Sequence, residues 1–294
     1  MGAARTLLAI CVVISHSGSI LGWRPLDGGG AVILFFVVSG FYMSLVLNTK
    51  YCGFAGANLT FWRSRVMRLR PSYLVALLAA ALLRRDIVLA IIGELDALSV
   101  VTVGVMNIFI FGSEWSQVLG IDTAGALIFS AAGATNNVGA YILLGQNWAL
   151  GLELLFYLIA PFVVTSAPRV ALLTLLAVAC AIAVALSGLP DTWRYRFFPA
   201  VLVFFMAGAC AYHLGEALRR HIPRSRPMTW LATAGTVLVL FTIAFPGTGL
   251  WFLPERHHVK ALALLLVLAL PLWLHWSKKI DGIPCLATCP IRFT

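Results

Sequence analysis

From its first residues the chain alternates long apolar runs with short polar stretches. A run of about 20 apolar residues crosses a bilayer as a helix. The runs that approach this length are Arg5–Leu21, Ala31–Leu47, Pro71–Leu83, Ile87–Phe111 and Trp148–Val164, followed by Val170–Leu186, Pro199–Leu214, Met228–Phe245 and Val259–Trp276. The segment Ala124–Leu144 is rich in small residues and is expected as a further span or a re-entrant loop. The pattern predicts an all-α polytopic integral membrane protein with about nine or ten transmembrane helices. Neither a repeat of 20–50 residues nor a low-complexity stretch interrupts it.

Composition sharpens this. Of 294 residues, 61% are hydrophobic and 11% charged, where soluble domains carry about 25% charged residues. A soluble core is excluded. The net charge of +10 does not point to nucleic acid, because the basic residues sit between apolar runs, where cytoplasmic loops collect Lys and Arg. Lys50, Arg63, Arg65, Arg68 and Arg70 mark one such loop; Arg219, Arg220, Arg224 and Arg226 mark a second, and Lys278 and Lys279 a third flank. The stretch Gly112–Asn147 has neither Lys nor Arg and is expected outside. These marks place the N-terminus in the cytoplasm if Ala124–Leu144 is a tenth span. The alternative is that Ile87–Ala97 lies partly outside the membrane. No small-residue cleavage site follows the first apolar run, so that run is expected to remain as a helix. Among six cysteines, three or four fall inside apolar runs and are expected as free thiols. Cys285 and Cys289 lack further ligands for zinc, and no metal site is expected.

Ionisable residues at membrane depth are expensive and mark functional sites. Arg5 and His16 are eleven positions apart, about three turns, so they share one face of a helix about 16 Å apart along its axis. Arg5 is either an anchor whose head reaches the interface or a ligand-binding cation. His16 is either a partner for a neighbouring helix, with Ser15 and Ser17, or a reactive group. Glu153 lies in the first two turns of a span, with Tyr157 one turn on and on the same face. It serves either as a partner to an arginine or as an active carboxylate. Ser39 and Gly40 are small residues suited to close helix approach. Arg65 and Arg68, three apart, are either part of a cytoplasmic basic cluster or a phosphate fork. Glu94 and Asp96 read as the watery end of a span. His257 and His258, beside Glu255 and Arg256, lack the ligand count of a metal site.

Four of these elements, in this order, resemble the acyltransferase-3 family of membrane proteins, which O-acylate cell-surface sugars. Arg5 and His16 match its Arg-x10-His element, "FFVVSG" from Phe35 to Gly40 its FFxxSG, and Arg65, Arg68 and Pro71 its RxxR followed by proline. "NWALGLELLFY" matches its tryptophan–glutamate element through Trp148, Glu153, Phe156 and Tyr157, with Ala149 where the family has serine. "SGFYMSLVLN" and "RYRFFP" resemble exopolysaccharide O-acetyltransferases in particular. The family's usual last span, bearing S-Y-x-x-Y-L-x-H, is not found. The resemblance therefore implies a membrane acyltransferase domain over 1–283 that lacks that span and an atypical tail over 284–294.

The resemblance implies acetyl-CoA as cytoplasmic donor, with no tightly bound cofactor. It implies a hydroxyl of a cell-surface or exported polysaccharide, or of its lipid-linked precursor, as acceptor, in a bacterial inner membrane. His16 is then the base that activates the hydroxyl or the residue that carries the acyl group. Arg5, Arg65 and Arg68 would bind CoA phosphates. Glu153 would orient His16 or polarise the acceptor, with Tyr157 beside it. Ser39 and Gly40 would bring the second span close to the first, and Ser39 would border the substrate. A proton-coupled transporter or flippase also uses intramembrane Arg, His and Glu, and an inactive fragment of the acyltransferase is the third reading.

Overall fold

The structure, a computed structural model, describes residues 2–20, 22–23, 26–52, 54–134, 136–221, 226–244 and 255–276. It is helical apart from one short hairpin among these residues. The expected tail, Cys285, Cys289, Lys278, Lys279 and Arg224 lie outside the described residues. Among the described residues, four helices are long and apolar enough to cross a membrane, namely Gly28–Thr49, Ala57–Leu83, Ala167–Leu186 and Phe198–His221. Shorter apolar helices cover Ala4–Ser17, Ala97–Phe109, Asn147–Val163, Thr233–Ala244 and Ala261–Leu272. Leucines stand exposed on long helices, Leu83 at 85% and Leu175 at 69%, which suits a lipid-facing surface. This is an all-α polytopic membrane fold. The chain divides into two compact units, each built from separate stretches of sequence.

The first unit comprises residues 1–57, 160–174 and 204–294. Helix α1 (Gly2–Ser17) leads to α2 (Gly28–Thr49). The expected span to Leu21 is shorter than predicted. Gly18 adopts φ 95° and its N–H donates to the Ile14 carbonyl at 2.9 Å, a left-handed glycine cap that ends the helix. Asp27 then caps α2, its carboxylate accepting from Gly30 N at 2.9 Å. Gly28 permits the join, since a Cβ there would collide with Ser15 Oγ. Leu34, Val37, Val38 and Phe41 of α2 pack with Leu8 and Cys11 of α1 and with Val239, Ile243, Leu262 and Leu266 further along the chain. The loop after α1 is tied down by Leu26 N–H to Ile243 O at 3.0 Å and Trp23 Nε1 to Ala244 O at 2.9 Å. Gly40 of α2 and Gly208 face each other's helices. A Cβ on Gly40 would strike the Phe205 carbonyl, and one on Gly208 the Val37 carbonyl. The small residue Gly40 thus admits the Phe198–His221 helix, and not the first helix as the sequence pattern suggests. Cys11 and Cys210 here, and Cys180 of the second unit, are free thiols.

The second unit comprises residues 58–159 and 175–203. Its α3 (Ala57–Leu83) runs through Pro71, so the Met67 carbonyl has no intrahelical N–H donor there. The expected span Ile87–Phe111 is two helices, α4 (Arg85–Glu94) and α5 (Ala97–Phe109). At ten and thirteen residues, they are about 15 and 20 Å long, short of the bilayer's ~30 Å. The break falls at Asp96, whose carboxylate caps α5 by accepting from Ser99 N at 2.8 Å. Ala124–Leu144 is not a helical span. Leu119–Ile121 (β1) pairs antiparallel with Leu127–Phe129 (β2), and a 3-10 turn, Val138–Tyr141, follows. Small residues permit this. Asp122 Oδ1 accepts from Ala124 N and Ala126 N, both at 2.9 Å, and Gly125 (φ 80°) presses its turn on the α4–α5 junction, with its O accepting from Asp96 N at 3.0 Å. A buried polar network holds this segment. Tyr73 OH donates to Asn107 O at 2.5 Å, Asn107 Nδ2 to Tyr141 O at 3.1 Å, and Tyr141 OH to Glu94 Oε2 at 2.9 Å. Glu94 is exposed at the end of α4, as a watery helix end should be, and it also accepts from the Tyr141 hydroxyl. Helix α6 (Asn147–Val163) begins beside α3, with Asn147 Nδ2 3.5 Å from Tyr73 OH. It continues antiparallel, with Trp62 Nε1 donating to Tyr157 O at 3.0 Å. Residues Ala167–Leu186 (α7), Thr192–Arg196 (α8), Phe198–His221 (α9), Arg226–Ala244 (α10) and Glu255–Trp276 (α11) complete the order.

Candidate functional site

In the first unit, α1 carries both Arg5 and His16. One face of α2 receives Arg5. Its Nη2 donates to Ser39 Oγ at 2.5 Å. Its guanidinium carbon lies 4.8 Å from the Phe35 ring centre and 5.3 Å from that of Tyr42. Phe35, Ser39 and Tyr42 are spaced four and three residues apart, one stripe of a helix. The "FFVVSGFY" stretch is thus a cradle for a cation: two ring faces attract it and one hydroxyl accepts from it. Ser39 is 0% exposed and meets Arg5. An interfacial anchor would not need such a cradle.

His16 stands in the last turn of α1 and is exposed. Gly18 ends the helix just beyond it. Its ring sits by the N-terminus of α2: Nε2 is 3.9 Å from where a Gly28 Cβ would be. The first N–H groups of a helix have no intrahelical acceptor and carry a partial positive charge. At α2 the Asp27 carboxylate already takes one of them, that of Gly30.

The second unit holds the other residues. Glu153 is 4% exposed and Tyr157 is buried. The Tyr157 hydroxyl donates to Glu153 Oε1 in a short hydrogen bond, as their one-turn spacing anticipates. Phe61 meets the Tyr157 ring edge-to-face at 6.3 Å. The Arg65 guanidinium carbon lies 5.3 Å from the Phe61 ring centre. Arg65 is 8% exposed and Arg68, one turn on, is exposed. The pair therefore does not act as one fork: Arg65 belongs to the buried Phe61–Tyr157–Glu153 cluster, and Arg68 faces outward. Among the described residues no group of three His, Cys, Asp or Glu side chains could hold a metal ion.

Over residues 1–288 the chain matches the family model described as an acyltransferase domain, Acyl transf 3. The chain belongs to the acyltransferase-3 family. It is accordingly a membrane acyltransferase. The match includes all four elements, from Arg5 to Tyr157. Neither a curated protein nor a solved structure matches the chain.

Sequence reasoning missed a third group in this acyltransferase. Glu114 is 6% exposed and lies against the first turns of α6, where Gly151 admits it; a Cβ on Gly151 would be 2.9 Å from Glu114 Oε2 and 3.0 Å from Ser113 Oγ. Arg196 stacks 4.7 Å from the centre of Trp148 and donates from Nη1 to Ser116 Oγ at 3.4 Å. Burial pushes the Glu114 carboxyl up and the Arg196 guanidinium down from their ordinary ranges. Glu114 sits in an irregular loop and Arg196 at the end of a five-residue helix, so no periodicity singles them out.

Proposed function

We propose that this acyltransferase moves an acetyl group from cytoplasmic acetyl-CoA to a hydroxyl of a cell-surface or exported polysaccharide, or of its lipid-linked precursor, in a bacterial inner membrane. The observation that carries the reading is His16, accessible at the end of α1 beside the N-terminus of α2, on the helix whose Arg5 is locked to Ser39. A sugar hydroxyl is a weak nucleophile and needs a base, and the ordinary pKa of imidazole, about 6.5, suits that task.

In the direct route His16 takes the hydroxyl proton as the oxygen attacks the thioester carbonyl. The carbon–sulfur bond then breaks, and the CoA thiolate leaves with a proton. In the two-step route the imidazole nitrogen attacks first, CoA leaves, and the sugar oxygen displaces the imidazole. Either route passes through an oxyanion. Arg68, exposed, is assigned to the CoA phosphates. Arg5 and Arg65 are each engaged with aromatic rings and are assigned to shaping the donor side. Glu153 with Tyr157 forms the buried acid–hydroxyl pair of the second unit, and this pair is assigned to substrate positioning.

The test is His16→Ala in the native host, scored by ester-bound acetate on exported polysaccharide. The expected result is loss of acetate with the protein still in the membrane. Normal acetate at normal protein level would overturn the assignment.

A further inference from the structure

The second unit carries an apolar cavity that the catalytic assignment leaves unused. Its walls are Val66, Leu69 and Tyr73 of α3, Ile108 and Phe109 at the end of α5, and Leu154 of α6. It holds about 80 Å³ of free space and is partly open. That is roughly half of the ~150 Å³ that an apolar protein cavity needs to bind benzene, so it admits a short alkyl segment and no more. The Tyr73 hydroxyl already donates to Asn107 O. A hydroxylated or amide-bearing ligand would leave its own hydrogen bonds unmade against such walls, and a hydrocarbon chain would not.

One cation stands at this cavity. Arg70 also lines it, and its guanidinium carbon lies 4.9 Å from the centre of the Phe109 ring. Arg70 is exposed, as are Met67 and Leu74, its neighbours on that face of α3. Among the described residues no carboxylate pairs with it. An arginine on an apolar face of a membrane helix needs water or an anion at its head. The wall opposite α3 is held by strained backbone. In a continuing helix, residues two apart point about 200° apart. Ile110 instead ends α5 with φ 73°, and Phe109 and Phe111 both wall the cavity. Among the described residues Ile110 is the only non-glycine with positive φ. That conformation is costly for a β-branched side chain. It is enforced here by packing, since Ile110 is buried in one cluster with Tyr73, Leu77 and Leu143, and enforced strain of this kind collects at ligand clamps.

We propose that this cavity is a phospholipid site, which seats a short length of one acyl chain while Arg70 takes the phosphate of the same lipid. The occupant comes from the bilayer, because the helix that carries Arg70 is long and apolar enough to span it and its exposed apolar face meets lipid. An anionic headgroup is favoured, since the guanidinium has no carboxylate to balance it. The site depends neither on the acetyl donor nor on the saccharide acceptor, and it is apart from the chemistry at His16.

The test uses the full chain in phosphatidylcholine vesicles that carry a small fraction of phosphatidylglycerol with a photoactivatable diazirine on its acyl chain, close to the glycerol. Crosslinked peptides are mapped by mass spectrometry. The parent should label at Val66–Tyr73 and Ile108–Phe111, and excess unlabelled phosphatidylglycerol should suppress this. Arg70→Gln should lower that labelling about tenfold, and Arg70→Lys should lower it less. Val66→Trp, which fills the cavity, should abolish it with Arg70 still in place; Ile108→Phe, a smaller filling, repeats the test should Val66→Trp not reconstitute. Arg63→Gln, at another exposed arginine of α3, should leave it unchanged. Even labelling of every lipid-facing helix, indifferent to Arg70→Gln, would overturn the site as ordinary bilayer contact. An equal loss in Arg63→Gln would overturn it as general attraction to a basic surface. Labelling that survives the filled cavity would overturn the seat for the chain.

Discussion

A hydroxyl and two rings determine what Arg5 does. The guanidinium is planar, the Phe35 and Tyr42 rings lie 4.8 and 5.3 Å from its carbon, and Ser39 accepts from it. Removing the acceptor should therefore show in stability. Ser39→Ala is expected to lower stability by about 1.5–3 kcal/mol, the usual worth of a hydrogen bond to a charged group, read as a lower thermal midpoint in detergent. An unchanged midpoint would mean the contact contributes nothing. Arg5→Lys keeps the charge but not the planar fit and should lower it too. Glu114 gives a pH-dependent counterpart. Burial raises its carboxyl, so the folded state holds that proton more tightly than the unfolded chain. The ionised form then opposes folding above the raised value, and the penalty fades as pH falls through it. Glu114→Gln should raise the thermal midpoint more at about pH 8 than at about pH 5. A difference independent of pH would contradict the assignment. Spacing alone revealed that Arg5 and His16 share a helix face and that Glu153 meets Tyr157. It could not reveal that Gly18 stops the helix, since a positive φ leaves no trace in periodicity.

Helix contacts follow the small residues, but each small residue needs its own partner identified. Gly40 and Gly208 have carbonyl groups of the facing helix where a Cβ would go, and backbone cannot move aside as a side chain can. Gly40→Ala is expected to destabilise by about 1–3 kcal/mol or more through overpacking, read as lost membrane protein and a lowered thermal midpoint. Gly104, inside α5, has nothing within 4 Å of its would-be Cβ. Gly104→Ala should instead gain about 0.5–1 kcal/mol from helix propensity. If both substitutions behaved alike, close approach at Gly40 would be refuted. The sequence pattern marks Gly40 as an approach site but cannot say to which helix, because the partner, α9, lies over 150 residues further on. Long apolar runs are legible because the bilayer fixes their length. Ile87–Phe111 misleads for the same reason: hydropathy sums across Asp96 without sensing that its carboxylate caps a new helix.

At the scale of the whole chain, the basic residues and the fold of the second unit now agree on sidedness. Counting spans required a tenth crossing at Ala124–Leu144 to keep the N-terminus in the cytoplasm. Helices α3 and α6 remove that need. They are antiparallel, with Trp62 against Tyr157 and Tyr73 against Asn147. The chain between them leaves from one end of the pair and returns to that same end. The α4–α5 pair, the hairpin and the 3-10 turns thus need no crossing of their own. Gly112–Asn147, free of Lys and Arg, belongs outside if the arginines of α3 mark the cytoplasm. Single cysteines test this directly. Thr123, in the hairpin turn, and Asn58, in the first turn of α3, are both exposed. On intact cells a membrane-impermeant maleimide should label Thr123→Cys above the parent's background and leave Asn58→Cys unlabelled until the membrane is opened. The reverse pattern would invert the protein and place Gly112–Asn147 on the cytoplasmic side. Equal labelling of both would break the antiparallel crossing of α3 and α6 on which the sidedness depends.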